Sequence, residues 1–594
     1  DGRGADASSA ITPPAEAVQR RPWIAVHASE MDADGDGQLS RTEVLAEAAR
    51  AFAGYDPDET GKVSLELLRS SRPVRSAMGG FIREHSEELD RNRDGVVTGD
   101  EVSANAARMF DKADTDRDGL VSIDAALDSQ PGRDSAKSRS SVDDVSTKPT
   151  VDGDRPPNIV LILVDDLGWR DVGFAGNEFV ETPHIDRLAT DGVAFTQAYS
   201  SGPNCAPTRA SLMSGQYTPR HGVFTVVDSR HNPGQPQHRI LSSPSREELA
   251  GDVVTIAELL QQQGYATACF GMWNLGRGRS GPTAPMGQGF DIYRRPQDLG
   301  FEQHAYFDAD GRYLTDALFD SGLGFIEQHG EQPFFLYLPT HAVHAPLDPP
   351  PRLVEKYRRK QTVAGAVSAD PAYAATIEAL DSNVGRLWDT LRSENLIEQT
   401  LIIFTSDNGG TPHYVAPLNG SKGALYEGGI RVPCAVWWSG IHQPGRQCDC
   451  PILTMDWYAT LADLAGARLP KEQPIDGVSL LPILRGADAL SRDALYWHFP
   501  CYIGRGEPCS AIRIGDWKLI QKFEDDTLEL FNLDDDPGEA RNLAKQNPDV
   551  ATNLADRLDD WQTELNAPRP REPNPAYDPA TVRRRGRSAR AQKK

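Results

Sequence analysis

The pentapeptide Cys205-Ala206-Pro207-Thr208-Arg209 sets a thiol and a guanidinium four residues apart at what reads as a strand-to-helix turn. Pro207 suits the first helical position, where its missing N–H costs nothing. A side chain at such a turn meets free N–H groups and the positive end of the helix dipole, both of which draw anions. Residues four apart share a helix face, so Arg209 is expected to point into the same space as Cys205. The pattern suits a nucleophile facing an oxyanion, although five residues alone read at least as readily as a buried free cysteine ahead of a helix.

A second set of polar side chains stands at the ends of apolar runs. Asn158-Ile159-Val160-Leu161-Ile162-Leu163-Val164 leads into Asp165-Asp166-Leu167-Gly168, and Leu401-Ile402-Ile403-Phe404-Thr405 into Ser406-Asp407-Asn408-Gly409-Gly410. Asp165, Asp166, Asp407 and Asn408 thus offer hard oxygen donors, which suit Ca²⁺ or Mg²⁺ better than a transition metal. Taken singly, Asp407-Asn408 also reads as a turn or helix cap. Pro333-Phe334-Phe335-Leu336-Tyr337-Leu338 ends ahead of His341 and His344, each of which also reads as a hydrogen-bonded structural histidine.

The elements that must position these groups follow from the same runs. Strand-length segments without polar alternation predict strands buried on both faces of a largely parallel sheet. Helical patterns fall between them, at Thr255 to Gln262 and Tyr373 to Arg392. Open α/β sheets bind ligands outside the carboxyl ends of their strands, so the three polar ends predict one shared site. After Ser491 the chain turns aromatic and β-rich, with strands expected at Ala511 to Ile514, Trp517 to Phe523 and Leu528 to Leu533 and a helix near Asp549 to Asn566. That is the pattern of a small antiparallel α+β subdomain.

Four N-terminal stretches have the form of calcium loops. Asp32, Asp34, Asp36, Gln38 (through its carbonyl) and Glu43, with Gly37 at the turn, fill one EF-hand loop. Asp90, Asn92, Asp94, Val96 and Glu101, with Gly95, fill another, and both are expected to bind calcium. The loops Asp56 to Leu67 and Asp114 to Ala125 lack the closing glutamate and are expected to be weak or empty. Each complete loop starts 24 residues before an incomplete one, and the two pairs are offset by 58, which reads as an internal duplication.

At 594 residues the chain is long enough for two or three domains. Its net charge is −24 although seven positive charges crowd into the last fourteen residues, so nucleic acid is not the expected partner. No run of eighteen apolar residues occurs, so no membrane-spanning helix is expected. The chain starts at Asp1 with neither an initiator methionine nor a leader, which fits a leader removed on export. Of the seven cysteines, six remain for pairing in an oxidising compartment if Cys205 is consumed by modification.

The Cys205 to Arg209 pattern, followed by Leu212-Met213-Ser214-Gly215, resembles the signature of the sulfatase family, in which the cysteine is oxidised after translation to formylglycine (3-oxoalanine). The other strand-end segments resemble the family too, as do Thr182-Pro183-His184-Ile185-Asp186-Arg187-Leu188 and Lys422-Gly423-Ala424-Leu425-Tyr426-Glu427-Gly428-Gly429. So do Asp476-Gly477-Val478-Ser479-Leu480 and Leu530-Phe531-Asn532-Leu533-Asp534-Asp535-Asp536-Pro537, for a coverage of roughly residues 157 to 566. The resemblance implies an α/β, alkaline-phosphatase-like mixed sheet flanked by helices, with a C-terminal antiparallel α+β subdomain and an N-terminal helical EF-hand module. The expected division is a disordered segment 1–26, the EF-hand module 27–130, a linker 131–156, a sulfatase domain 157–490, its C-terminal subdomain 491–570 and a disordered basic tail 571–594.

Carried over residue by residue, the resemblance makes Cys205 the formylglycine precursor and Arg209 its anchoring cation. Lys422 and His344 match the pair that holds the sulfate and assists departure of the alcohol. Asp165, Asp166, Asp407, Asn408 and the modified Cys205 match the metal set, usually occupied by calcium. A formylglycine-generating enzyme is implied as a maturation partner, a sulfated carbohydrate as the substrate, and a periplasmic or secreted location.

One departure bears on chemistry. Where sulfatases read Gly-Lys-Trp-His-Leu-Gly, this chain reads Gly271-Met272-Trp273-Asn274-Leu275-Gly276. The family's lysine there contacts the nucleophile and sulfate, and its histidine takes the proton that lets sulfate depart and the aldehyde re-form. Asn274 stands at that catalytic position, yet an amide is no base near neutral pH. The expectation is a slow sulfatase unless His341 or His413 supplies the base. The competing readings are a phosphodiesterase or phosphonate hydrolase of the same superfamily and a catalytically impaired glycan-binding protein. Cys501 and Cys509, where the family tends to carry histidine and serine, suggest a disulfide-clamped loop.

Overall fold

The computed structural model describes residues 31, 38–56, 60–70, 78–84, 86–90, 94–113, 120–122, 155–226, 234–364, 370–411, 415–504 and 506–581. The chain forms two compact units, Asp1–Ser146 and Thr147–Lys594.

In the N-terminal unit, two short antiparallel ladders join the calcium-type loops. Strands β1 (Gln38–Ser40) and β4 (Leu120–Ser122) pair with Leu39 opposite Val121, and β2 (Lys62–Ser64) pairs with β3 (Val96–Thr98) with Val63 opposite Val97. The first loop therefore pairs with the fourth and the second with the third. Each ladder joins one loop that has its closing glutamate to one that lacks it. Leu39, Val63, Val97 and Val121 are buried with Phe52 and Phe110, so a small core replaces a hairpin turn as the link between loops. The described parts of the complete loops keep their turn chemistry. The Asp90 carboxylate accepts from Asp94 and Gly95 N–H at 3.1 and 2.9 Å, and Ser40 forms a capping box with Glu43. Asp32, Asp34, Asp36 and Asn92 lie outside the described residues, as do 1–26, most of the linker and His413.

The larger unit is built on eight strands. In chain order they are β5 (Asn158–Val164), β6 (Val193–Phe195), β8 (Ala266–Phe270), β9 (Ile292–Arg294), β10 (Phe334–Pro339), β11 (Thr400–Ser406), β12 (Cys434–Trp437) and β13 (Arg446–Cys448). A separate two-stranded ladder joins β7 (Ala198–Tyr199) to β14 (Ile452–Leu453). The sheet order is β13-β6-β12-β11-β5-β10-β8-β9, and the run from β11 to β9 is parallel. Strands β5, β10 and β11 are buried along their whole length, as uniform apolar runs require when helices cover both faces. Because β11, β5, β10 and β8 are adjacent and parallel, their following loops all leave from one edge of the sheet. Those loops carry Asp407 and Asn408, Asp165 and Asp166, His341 and His344, and Met272 and Asn274.

The helices start where local chemistry satisfies their free N–H groups. Thr255 and Glu258 form a capping box for Ile256–Gln262, and the Asp370 carboxylate accepts from Ala372 N at the head of Pro371–Ser393. The signature helix spans Cys205–Ser214, so it begins at the cysteine and Pro207 is its third residue, two positions later than its sequence suggests.

Four antiparallel strands, β15 (Leu495–Phe499), β16 (Cys509–Ile514), β17 (Trp517–Lys522) and β18 (Leu528–Asn532), form a second sheet covered by helix Pro548–Glu564. All seven cysteines are free thiols. Cys509 is paired across the ladder with Phe499, which leaves Cys501 two residues beyond the register, its Sγ 3.6 Å from the Ser243 carbonyl oxygen; the suggested disulfide is not formed. The segment 571–581 is not a disordered tail. Asn574 is buried and donates to the carbonyls of Gln235 and His238, and Leu241 N donates to Glu572, so this segment pins residues 235–241.

The second sheet is tied to the first by buried charge. Lys518 Nζ lies 2.9 Å from both Glu427 and Glu539 with all three side chains fully buried, and Tyr199 donates to Glu427 at 2.8 Å. Removing the cation strands two carboxylates in a dry interior, which costs about 3–5 kcal/mol. Lys518→Met is therefore expected to lower stability by that amount in urea unfolding followed by near-UV circular dichroism, and a loss below about 1 kcal/mol would show the network to be incidental.

Candidate active site

Arg209 occupies the centre of the strand-end edge and is fully buried. Its Nε and Nη2 donate to Asp407 at 2.9 and 2.7 Å, Nη2 also reaches Asp165 at 3.2 Å, and Nη1 donates to the Met272 carbonyl at 2.6 Å. The guanidinium thus braces the ends of β5, β11 and β8 together, rather than standing free beside Cys205. Burial works against its charge, but Asp407 and Asp165 outweigh it and raise its pKa further.

Around that brace, Asp165, Asp166, Asp407 and Cys205 bring four donor atoms within 4.8 Å of one another. Burial, with Asp407 and Asp166 beside it, pushes the Asp165 carboxyl well above its ordinary range. Asn408 donates to Asp166 at 2.8 Å and leaves its buried Oδ1 with no partner. Three crowded carboxylates and an orphaned amide oxygen, with two cations near them among the described residues, form a donor set that fits a hard divalent ion. Lys422 Nζ sits 2.6 Å from Asp166 and 3.9 Å from Asp165. The turn that carries it is held by Lys422 N to Gly410 O and Gly423 N to Pro203 O, at 2.9 and 2.7 Å. Gly423 has φ +95°, and a Cβ there would meet Ile503 at 2.7 Å, so the loop after Cys501 is clamped on this turn by packing.

Cys205 is buried at the first turn of its helix, with Sγ 3.3 Å from Asp165. Burial, then the charges of Asp165 and Asp407, raise its thiol pKa well above the ordinary value, so the unmodified side chain is a protonated thiol and a poor nucleophile. His344 uses Nδ1–H on the Ala345 carbonyl at 2.6 Å and turns Nε2 toward Asp166 at 3.8 Å, while Tyr306 OH donates to the His344 carbonyl at 2.9 Å. His341 lines the same cleft but is held neutral: burial first, then Arg209 and two histidines, push its pKa down to about 3.

These groups open onto a cleft of about 720 Å³ that also exposes Met272, Asn274, Gln303, His304 and Tyr306. Cys205, Asp165, His341, His344, Lys422 and Asn274 line the cleft and Arg209, Asp166, Asp407 and Asn408 are bonded behind them, while the Asn274 amide is directed at the Met272 sulfur at 3.2 Å. His304 and Tyr306 carry no spacing or motif that marks them in the sequence. They reach the cleft through the path of the chain between β9 and helix Leu314–His329.

A family model described as Sulfatase matches residues 157–467, one described as N-sulphoglucosamine sulphohydrolase, C-terminal, matches 421–564, and an EF hand model matches 106–124. A sulfatase of Formosa agariphila is 33% identical over 71% of this chain and 92% of its own length. The human N-acetylgalactosamine-6-sulfatase is 30% identical over 61% of this chain and 71% of its own. The crystal structure of Ps i-CgsB in complex with k-i-k-neocarrahexaose superposes with a TM-score of 0.59 at 29% identity, covering 68% of this chain and 93% of that one.

If the donor set holds a divalent ion, Asp166→Asn is expected to bind about one calcium ion fewer per chain than the wild-type protein after equilibration with Ca²⁺, as measured by elemental analysis. Equal metal content in the folded variant would count against the site.

Proposed function

The chain belongs to the sulfatase family, and from that premise we propose that it hydrolyses a sulfate monoester carried by a carbohydrate, using a formylglycine made from Cys205 beside a calcium ion. The observation that carries the reading is the buried set of Asp165, Asp166, Asp407 and Cys205 braced by Arg209 and faced by Lys422. Bound there, the ion and the modified side chain would supply a polarised sulfate and an oxygen nucleophile.

The chain's own residues account for the rest. Lys422 neutralises charge on the sulfate oxygens as the ester S–O bond breaks. His344 is the cleft's partly exposed imidazole with Nδ1–H fixed on a carbonyl, an arrangement suited to handing a proton to the departing alcohol. Arg209 spends its donors on Asp407, Asp165 and Met272, so its part is to hold the donor set in place. The protonated, carboxylate-flanked thiol supports the need for conversion of Cys205, because as a cysteine it is a weak nucleophile. A sulfated sugar as substrate is supported by the names of the similar proteins, which include an N-acetylgalactosamine-6-sulfatase. The EF-hand unit adds a calcium capacity of one complete loop per ladder, and export to the periplasm or beyond is the location this reading expects.

A specific observation favours the impaired, glycan-binding reading. Met272 and Asn274 place a thioether and an amide where sulfatases carry a cation and an imidazole, and the two side chains face each other. Peptide mass spectrometry separates the readings. The Cys205 peptide from the natural host is expected to show the thiol-to-aldehyde mass loss, and Cys205→Ala to reduce aryl sulfate hydrolysis by at least ~10³-fold. An unmodified thiol together with no turnover and retained binding of a sulfated oligosaccharide would replace hydrolysis by binding.

A further inference from the structure

Sulfatase chemistry needs a base in the cleft, and the residue at 274 is not one. Among the described residues, three imidazoles reach the same cavity from two chain segments: His341 and His344 from the loop after β10, and His304 from the loop before helix Leu314–His329. His344, with Nδ1 on the Ala345 carbonyl, already serves the departing alcohol in this reading. His341 lines the cleft with its pKa pushed down to about 3, by desolvation first and then by Arg209, so it is a weak proton acceptor. His304 is exposed on the cavity wall, close enough to His341 to act on its charge.

Its backbone is unusual as well. His304 has φ +65°, in the left-handed region that side chains other than glycine seldom enter. The turn is held by Ala305 N to Glu302 O at 3.1 Å, and two residues on, Tyr306 OH fastens the segment to the His344 carbonyl at 2.9 Å. A left-handed histidine tied to the loop of the other two imidazoles is an outlier of the kind that active sites keep.

We propose that His304 is the general base that releases sulfate in this cleft, doing from the wall what Asn274 cannot do from the β8 loop. The inference rests on the sulfatase reading and deepens it. His304 accepts the proton of the hydroxyl left on the residue-205 side chain as sulfate departs. The O–H electron pair becomes the new carbonyl bond, the carbon–oxygen bond to sulfate breaks with its pair leaving on sulfate, and the proton passes from the imidazole to water. Among the described residues, the other titratable groups facing this space are His341, His344, Lys422, Asp165, Cys205 and Tyr306.

The test uses the full-length protein with its natural processing. His304→Asn tolerates the left-handed backbone and removes only the base. It is expected to lower steady-state turnover of an aryl sulfate ~10²- to 10⁴-fold. Residue 205 should convert as in wild type, the unfolding midpoint should hold, and sulfate should build up covalently on the residue-205 peptide during turnover. His304→Gly leaves room for added imidazole, which is expected to restore turnover. Independently of turnover, inorganic sulfate is expected to shift one imidazole resonance in ¹H–¹⁵N spectra, and that resonance should be missing from His304→Asn. Unchanged turnover in His304→Asn, or a His304 resonance indifferent to sulfate, overturns the proposal. A wild-type protein that hydrolyses no sulfate ester sinks the sulfatase reading instead, and the resonance shift still decides whether His304 faces the anion.

Discussion

The arrangement of the large unit depends on one buried cation. Arg209 reaches Asp407 after β11, Asp165 after β5 and the Met272 carbonyl after β8, three neighbouring parallel strands, from a helix that lies on the sheet. Backbone bonds such as Asp407 N to Val164 O and Met272 N to Pro339 O join neighbouring strand ends, and the five-donor guanidinium adds side-chain ties to Asp407 and Asp165 and one to the Met272 carbonyl. Without it, two buried carboxylates would face each other across the β5–β11 seam. The same contacts fix the metal donors and the start of the Cys205 helix, so scaffold and site share one set of bonds.

The central sheet was legible because it is a physical extreme. Runs such as 159–164 and 401–405 have no polar face, which only a strand covered on both sides can satisfy, and the residues that end them had to meet at one edge. The wall of the cleft was not legible. His304 lies in a segment with no periodicity, and what brings it to His341 is a left-handed turn and the Tyr306 hydrogen bond, neither of which leaves a mark in composition. The end of the chain misled for a related reason. Charge density marks 583–594 as solvated, but Asn574, a few residues earlier, is buried because its amide satisfies two loop carbonyls. Composition averages over a window, whereas one well-placed amide can order a segment.

In the N-terminal unit the 24-residue spacing does not itself say which loops pair; the first loop pairs with the fourth and the second with the third. Spacing records how the segment duplicated; pairing follows which apolar residues, Leu39 with Val121 and Val63 with Val97, are buried together. The nested arrangement gives each ladder one loop with a closing glutamate, so a complete loop has an incomplete one as its β-partner.

The two unusual residues of the cleft can be there because the brace is indifferent to them. Arg209 bonds the carbonyl of residue 272, not its side chain, and Met272 N is fixed on the Pro339 carbonyl at 2.9 Å. Asn274, with φ +59°, stands in a backbone region that asparagine enters readily. A methionine at 272 therefore puts a neutral side chain in the cleft while the main-chain bonds of residue 272 to Arg209 and Pro339 stay in place. Function at these positions is set by side chains and stability by backbone, so the family's lysine and histidine can be lost without loss of the fold. A sheet edge whose geometry is kept by main-chain contacts leaves the cleft wall free to supply the missing chemistry from a different loop.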